Sequence, residues 1–224
     1  MRTTSAPMLT RKLKAMDWQL DATETRVLGA LLEKEITTPD YYPLSTNALV
    51  NACNQKSNRE PVVSYDDDTV ESALQDLRDK GLAMRVTGDG RVAKHEQRFT
   101  EKYNLGRREA ALLCVLMLRG PQTVGELRGR SERLYTFDDL EGVESTLSRL
   151  ADMGYVKKLP RRAGFKEQRW AQLLAGDVEE AGEEPSHAAA AHDSGPADRD
   201  RIAKLEADLA ALRQEFDEFK RKFE

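Results

Sequence analysis

The sequence predicts a mainly α protein with small β-wings, of the α+β class: two tandem winged helix-turn-helix domains plus a C-terminal coiled-coil helix. Three observations predict it. The segment Val70-Glu-Ser-Ala-Leu-Gln-Asp-Leu-Arg-Asp-Lys-Gly-Leu82 returns further along the chain, without a gap, as Val143-Glu-Ser-Thr-Leu-Ser-Arg-Leu-Ala-Asp-Met-Gly-Tyr155. In each copy a helical apolar face (Val70, Leu74, Leu77; Val143, Leu147, Leu150) ends at a Gly and is followed by a short apolar run. The last residues carry a heptad of large apolar side chains.

The repeat extends upstream. Glu24–Leu32 aligns with Glu109–Met117, at a wider offset than the third helices show. The first copy therefore holds an insertion, twelve positions long, between its first and third helices. Both first helices carry an apolar face: Val27, Leu28 and Leu31, and Leu112, Leu113 and Leu116. That spacing is one side of a helix. Asp21 with Glu24 reads as a capping box, and so does Asp68 with Glu71. A second helix is expected at Ser45–Cys53 and again at Thr123–Gly129. Gly81 and Gly154 stand where a helix ends on a left-handed residue. The first wing is expected to turn at Gly88-Asp89-Gly90, a strong hairpin signal, and the second through Pro160–Gly164. Thr38-Pro39-Asp40 and Tyr41-Tyr42-Pro43-Leu44 read as a structured turn packing both tyrosines over the first helix.

These elements give an N-terminal extension (1–16), a winged domain at 17–100 and a second at 101–175. Residues 176–200 are acidic and nearly free of large apolar side chains, the composition of a disordered linker. In 201–224, Ile202, Leu205, Leu209, Leu212, Phe216, Phe219 and Phe223 alternate three and four apart, a coiled-coil seam. The flanking pairs Arg201–Glu206, Asp208–Arg213 and Glu215–Lys220 are all attractive in a parallel pair, so a parallel homodimer through this helix is expected. The alternative is a helix folded back on the body.

The net charge of −4 conceals a division. Positions 1–176 hold 28 Lys/Arg against 25 Asp/Glu, and positions 177–224 hold 7 against 14. No run approaches a membrane span, and no signal peptide is evident. Cys53 and Cys114 lie at core-like helical positions, which points to reduced thiols and a cytoplasmic protein. No metal spacing, phosphate loop or nucleophile motif occurs. The chain is therefore expected to be non-enzymatic, with no catalytic residues, metal or cofactor.

Two long strings add a family resemblance. Glu33–Leu49 with Ala52–Val62, and Leu159-Pro-Arg-Arg-Ala-Gly-Phe-Lys-Glu-Gln-Arg-Trp170, resemble the YceH-like family of uncharacterised bacterial proteins. The resemblance covers roughly residues 17–175 and implies two winged-helix domains. It implies no reaction.

Three regions are candidates for function. The second wing carries Lys157, Lys158, Arg161, Arg162, Lys166 and Arg169 against Glu167, with Phe165 and Trp170 interleaved. A wing of this charge can grip the phosphates of DNA or RNA. The plain alternative is a solvated hairpin whose aromatics pack on their own helices. The third helices argue against base readout, since their outward residues (Asp68, Glu71, Ser72, Gln75, Asp76, Asp79; Glu141, Glu144, Ser145, Ser148, Arg149, Asp152) are acidic on balance and phosphates repel that charge. The loop Asn54, Gln55, Lys56, Ser57, Asn58, Arg59 crowds donors that suit an anionic ligand, or else bond one another in a turn. The leading expectation is nucleic-acid binding through the second wing. The rival is a protein-interaction scaffold resembling the tandem winged-helix subunits of chromosome condensation complexes.

Overall fold

Side-chain caps start the helices. A computed structural model of the protein describes residues 18–86, 92–161, 164 and 167–177. Helix α1 (Ala22–Thr37) opens on the expected capping box of Asp21 and Glu24. Helix α2 (Thr46–Cys53) is capped by Ser45 and preceded by strand β1 (Leu44–Ser45). Helix α3 (Asp67–Asp79) is capped by Asp66, which accepts from the Thr69 amide at 2.9 Å. The capping box expected from Asp68 and Glu71 does not form; Asp68 lies inside the helix, and Glu71 accepts from the Thr46 hydroxyl. Strands β2 (Ala83–Val86) and β3 (Lys94–Gln97) form a hairpin, and α4 (Phe99–Lys102) follows.

The order then recurs. Helix α5 (Arg107–Arg119) leads to α6 (Val124–Ser131), which opens on a capping box of Thr123 and Glu126. Helix α7 (Leu140–Asp152) is capped by Asp139, the counterpart of Asp66. Strands β4 (Val156–Lys158) and β5 (Trp170–Gln172) close the second hairpin. Both third helices end in the same way. The Leu82 amide donates to Leu77 and Gly81 to Arg78; Tyr155 donates to Leu150 and Gly154 to Ala151. These are Schellman closures, and they require the positive φ of Gly81 (66°) and Gly154 (79°).

The sheets are small and antiparallel. The first has the order β1-β3-β2, with Leu44 opposite His95 and Ala83 opposite Gln97. The second pairs β4 with β5, and a single bridge between Gln122 and Trp170 stands where β1 stands in the first. The molecule is thus α+β, with helices dominant among the described residues.

The sequence suggests that the loop beginning at Asn54 holds most of the insertion of the first copy; the structure instead spreads it over two places. Part of it lies between α2 and α3, where the first repeat has the segment 54–66 and the second only 132–139. The larger part lies before α2. There α1 is longer than α5, and the 3-10 turn Pro39–Tyr41 and β1 have no helical or strand counterpart in the second repeat. In that turn Tyr42 packs inward and its hydroxyl accepts from the Gln97 amide, whereas Tyr41 is 77% exposed, against the expectation that both pack.

Helices α1 and α5 lie against each other at the centre. Both are buried on every side, α1 from Glu24 to Glu33 and α5 from Glu109 to Leu118. Matching positions meet: the Cys114 thiol lies 3.5 Å from the Gly29 carbonyl oxygen. A Cβ on Gly29 would come within 2.9 Å of Leu118 and 3.2 Å of Met117, so the close approach depends on a residue without one. Trp18, Phe99, Tyr103 and Tyr155 form an aromatic cluster, with Phe99 and Tyr155 centroids 6.1 Å apart. The Leu20 amide donates to Leu174 at 2.8 Å. The two repeats are accordingly one compact unit. The boundary expected at 100/101 falls inside α4, beside the fully buried Phe99. The Gly88-Asp89-Gly90 turn, Arg162, Phe165, Lys166, the acidic linker after residue 177 and the seam from Ile202 to Phe223 lie outside the described residues.

Candidate interaction surfaces

The repeated pattern places Val70, Leu74 and Leu77, and Val143, Leu147 and Leu150, at 0% exposure. The opposite faces of α3 and α7 must then point to solvent. Asp68, Glu71, Ser72, Gln75, Asp76 and Asp79 are all exposed, and so are Glu141, Glu144, Ser145, Ser148, Arg149 and Asp152. Their few cations are engaged locally. Arg78 donates to Gln75 at 2.8 Å, and Gln75 in turn donates to Asp79. Arg149 lies 3.1 Å from Glu109. Two solvent-facing helices therefore present acidic surfaces.

The second hairpin is less open than its sequence reads. Lys157 is paired with Asp177, and the Lys158 ammonium lies 5.8 Å from the Trp170 ring centre. Trp170 is only 8% exposed and belongs to the core, so its ring is no platform for a base. Arg161 is exposed and Arg169 half-buried, and both are engaged in interactions.

The loop after α2 turns most of its donors inward. Arg59, expected as a surface donor, is 4% exposed. Its guanidinium meets both oxygens of Glu33, at 3.1 and 2.6 Å, and donates to the carbonyls of Ala52 and Asn58. Burial would raise the Glu33 carboxyl, but the bonds and charge of Arg59 outweigh it and hold the group below its usual range. The Asn54 amide bridges the backbone of Tyr65 in both directions, at 2.8 Å each. Asn58 takes a left-handed φ of 60° and accepts from Arg119. Gln55 is half-buried, and Lys56 and Ser57 remain exposed.

Both cysteines are buried and unbonded to each other. Burial pushes the Cys53 thiol up to about 12 and the Cys114 thiol higher still, so neither supplies a thiolate nucleophile. His95 on β3 is 1% exposed, with Nε2 3.3 Å from the Thr46 hydroxyl and 3.7 Å from Glu71, and Nδ1 unpartnered. Burial lowers its pKa despite Glu71. Among the described residues no group of three His, Cys, Asp or Glu could hold a metal, and no helix is long and apolar enough to cross a membrane. Sequence reasoning passed over Arg119 and Arg130, which the last turns of α5 and α6 bring to one cleft. Their only signal was a cation near a helix C-terminus, which usually serves the helix dipole.

Comparison with known proteins finds close relatives of the chain. The model of a family described as "Protein of unknown function, DUF480" matches residues 20–165. A UPF0502 protein of Solibacter usitatus is 71% identical, over 93% of this chain and 100% of the relative. A UPF0502 protein of Pelobacter propionicus is 49% identical, over 93% of this chain and 100% of the relative. The UPF0502 protein Acid345_3645 of Koribacter versatilis is 51% identical, over 86% of this chain and 90% of the relative.

Proposed function

Because the chain belongs to the bacterial DUF480/UPF0502 family, whose name assigns no activity, we propose from its own residues that it is a non-enzymatic tandem winged-helix scaffold docking a basic protein partner. The observation that carries this reading is the exposed acid on both third helices. In a nucleic-acid reader this helix enters the major groove. Here residues 68–80 hold four acids against Arg78 and Lys80, and 139–153 hold four against Arg149. That surface repels phosphate and attracts Lys- and Arg-rich protein. Two helix-helix-helix-hairpin units and the YceH-like resemblance support the winged-helix assignment. Reduced, buried thiols fit a cytoplasmic setting. A parallel dimer through residues 201–223 would tether two such bodies and raise avidity without new contacts.

A second reading keeps DNA or RNA as the partner, gripped by the second wing. The exposed Lys158 and Arg161 favour it. One titration separates the two. Purified protein is mixed at low and high salt with a Lys/Arg-rich peptide, with duplex DNA and with single strands. The scaffold reading expects salt-sensitive peptide binding that Glu71→Lys with Glu144→Lys weakens. DNA binding that falls uniformly across sequences when Arg161, Arg162 and Lys166 become Ala, with a shallower log-salt slope, would establish the wing instead.

A further inference from the structure

Where the two repeats meet, a cleft remains that neither the acidic helix faces nor the second hairpin uses. Its floor is apolar, with Cys114 and Leu118 of α5. Glu33, Asn58, Arg119, Arg130 and Arg133 stand around it. Charge does not balance there. Glu33 is already paired with Arg59 and lies 3.6 Å from Lys34. Arg119 donates to the Asn58 side chain, a neutral amide. Arg130 donates to the neutral Gln122 amide and lies 3.4 Å from Glu126. Arg133 is exposed, and its charge acts on Glu33. Burial, then the charges of Arg130 and Arg59, pull Arg119 below its ordinary range, so these cations strain one another.

Three arginines lining one cleft with an apolar floor suit an oxyanion. Their planar forks bond two oxygens at once, and the poorly solvated floor strengthens the attraction. The cleft offers about 30 Å³. Organic ligand pockets run to roughly 300–1,000 Å³, so only a single small group fits, with any remainder of the molecule outside.

We propose that this inter-repeat cleft binds a phosphate group, free or at the end of a phosphomonoester, held by Arg119, Arg130 and Arg133. The site does not depend on the scaffold reading. The residues that would hold it all belong to the second repeat; Asn58 and the Arg59-paired Glu33 of the first line the other side of the cleft.

The test titrates the full chain with inorganic phosphate, using chloride at matched ionic strength as control, by calorimetry and thermal shift. Saturable binding and a rise in Tm that chloride does not reproduce are expected. Arg133→Gln removes no hydrogen bond, only a charge that acts on Glu33, so its Tm in chloride should fall little while its phosphate affinity falls roughly tenfold. Arg133→Lys should recover part of that loss. An absence of saturable binding at millimolar phosphate overturns the site, and so does wild-type affinity in Arg133→Gln. Competition then identifies the source. Displacement by phenyl phosphate, but not by an oligonucleotide lacking terminal phosphates, supports a small phosphomonoester. Displacement by the oligonucleotide that disappears in Arg133→Gln supports the same cleft with a nucleic-acid phosphate in it.

Discussion

When the two first helices are aligned, Glu24 of the first repeat corresponds to Glu109, Arg26 to Ala111 and Glu33 to Leu118. The first of these pairs behaves alike in both copies. Glu24 is buried and paired with Lys80, and Glu109 is buried and paired with Arg149, so each first helix is tied to its third helix by an ion pair. The other two positions diverge. Arg26 donates to the carbonyl of Cys53, and Glu33 holds Arg59, whereas the second repeat fills the same places with hydrocarbon. Buried charge therefore follows the inserted residues. The end of α2 and the polar loop at 54–66 carry carbonyls that need partners; Arg26 supplies Cys53 and Pro61, Arg59 supplies Ala52 and Asn58, and Glu33 holds Arg59 in place. The shorter loop of the second repeat, at 132–139, is held by an exposed arginine instead: Arg128 donates to the carbonyls of Phe137 and Asp138.

The sharpest way to break this contrast is Arg59→Met. It leaves the buried Glu33 with only the more distant Lys34, and a loss of about 3 kcal/mol is expected in urea unfolding. Adding Glu33→Leu, the residue of the second repeat, should return most of that loss. A double variant no better than the single one would show that Arg59 acts mainly through the loop carbonyls.

Core truncation comes next. Leu74→Ala and Leu147→Ala remove matching, fully buried side chains, and each should cost about 2–5 kcal/mol. Since the repeats share one core, calorimetry of either variant should still give a single transition. Two separated transitions would mean that each repeat folds alone.

A smaller effect is expected at the glycines. Gly81→Ala and Gly154→Ala should each cost about 1–2 kcal/mol, because both positions hold left-handed backbone. The two losses should agree closely. A much larger loss at one would reveal a role outside its Schellman closure.

The smallest effect separates the repeats by pH. His95 has its pKa lowered by burial, so the folded protein keeps it neutral while the unfolded chain takes up a proton below about pH 6.5. Its contribution is present above that pH and is lost as pH falls through the folded value. Glu33, also lowered, adds a loss in the same direction at more acid pH. His95→Gln should flatten stability between neutral and mildly acid pH. An unchanged pH profile would show that His95 does not titrate on unfolding.

The repeat was legible because it is local. Apolar spacing, capping residues and two glycines fixed α3 and α7 and their closures without any long-range information. Ambiguity began where neighbours compete: Asp66, Asp67 and Asp68 are equally good caps in isolation, and packing of Val70 and Leu74 selects the first. Strand β1 escaped notice because two residues show no period. The Arg59–Glu33 pair joins two distant elements and belongs to no motif, so a loop that reads as polar turned out to be an anchor. The second hairpin was legible only as a count of charges, since the pairing of Lys157 with Asp177 joins it to a residue beyond the repeat.

Gly29 has a reach beyond packing. By letting α1 and α5 touch, it makes the two repeats one frame, and so the acidic faces of α3 and α7 are set at a fixed separation. If the protein docks basic partners as proposed above, the frame would work as a gauge. A partner whose two basic patches match that distance would engage both at once and gain the second contact at high effective concentration; one with other spacing would engage a single face. Selection among partners would then rest on geometry as much as on charge, and a bulkier residue at position 29 would reset the gauge without touching either face.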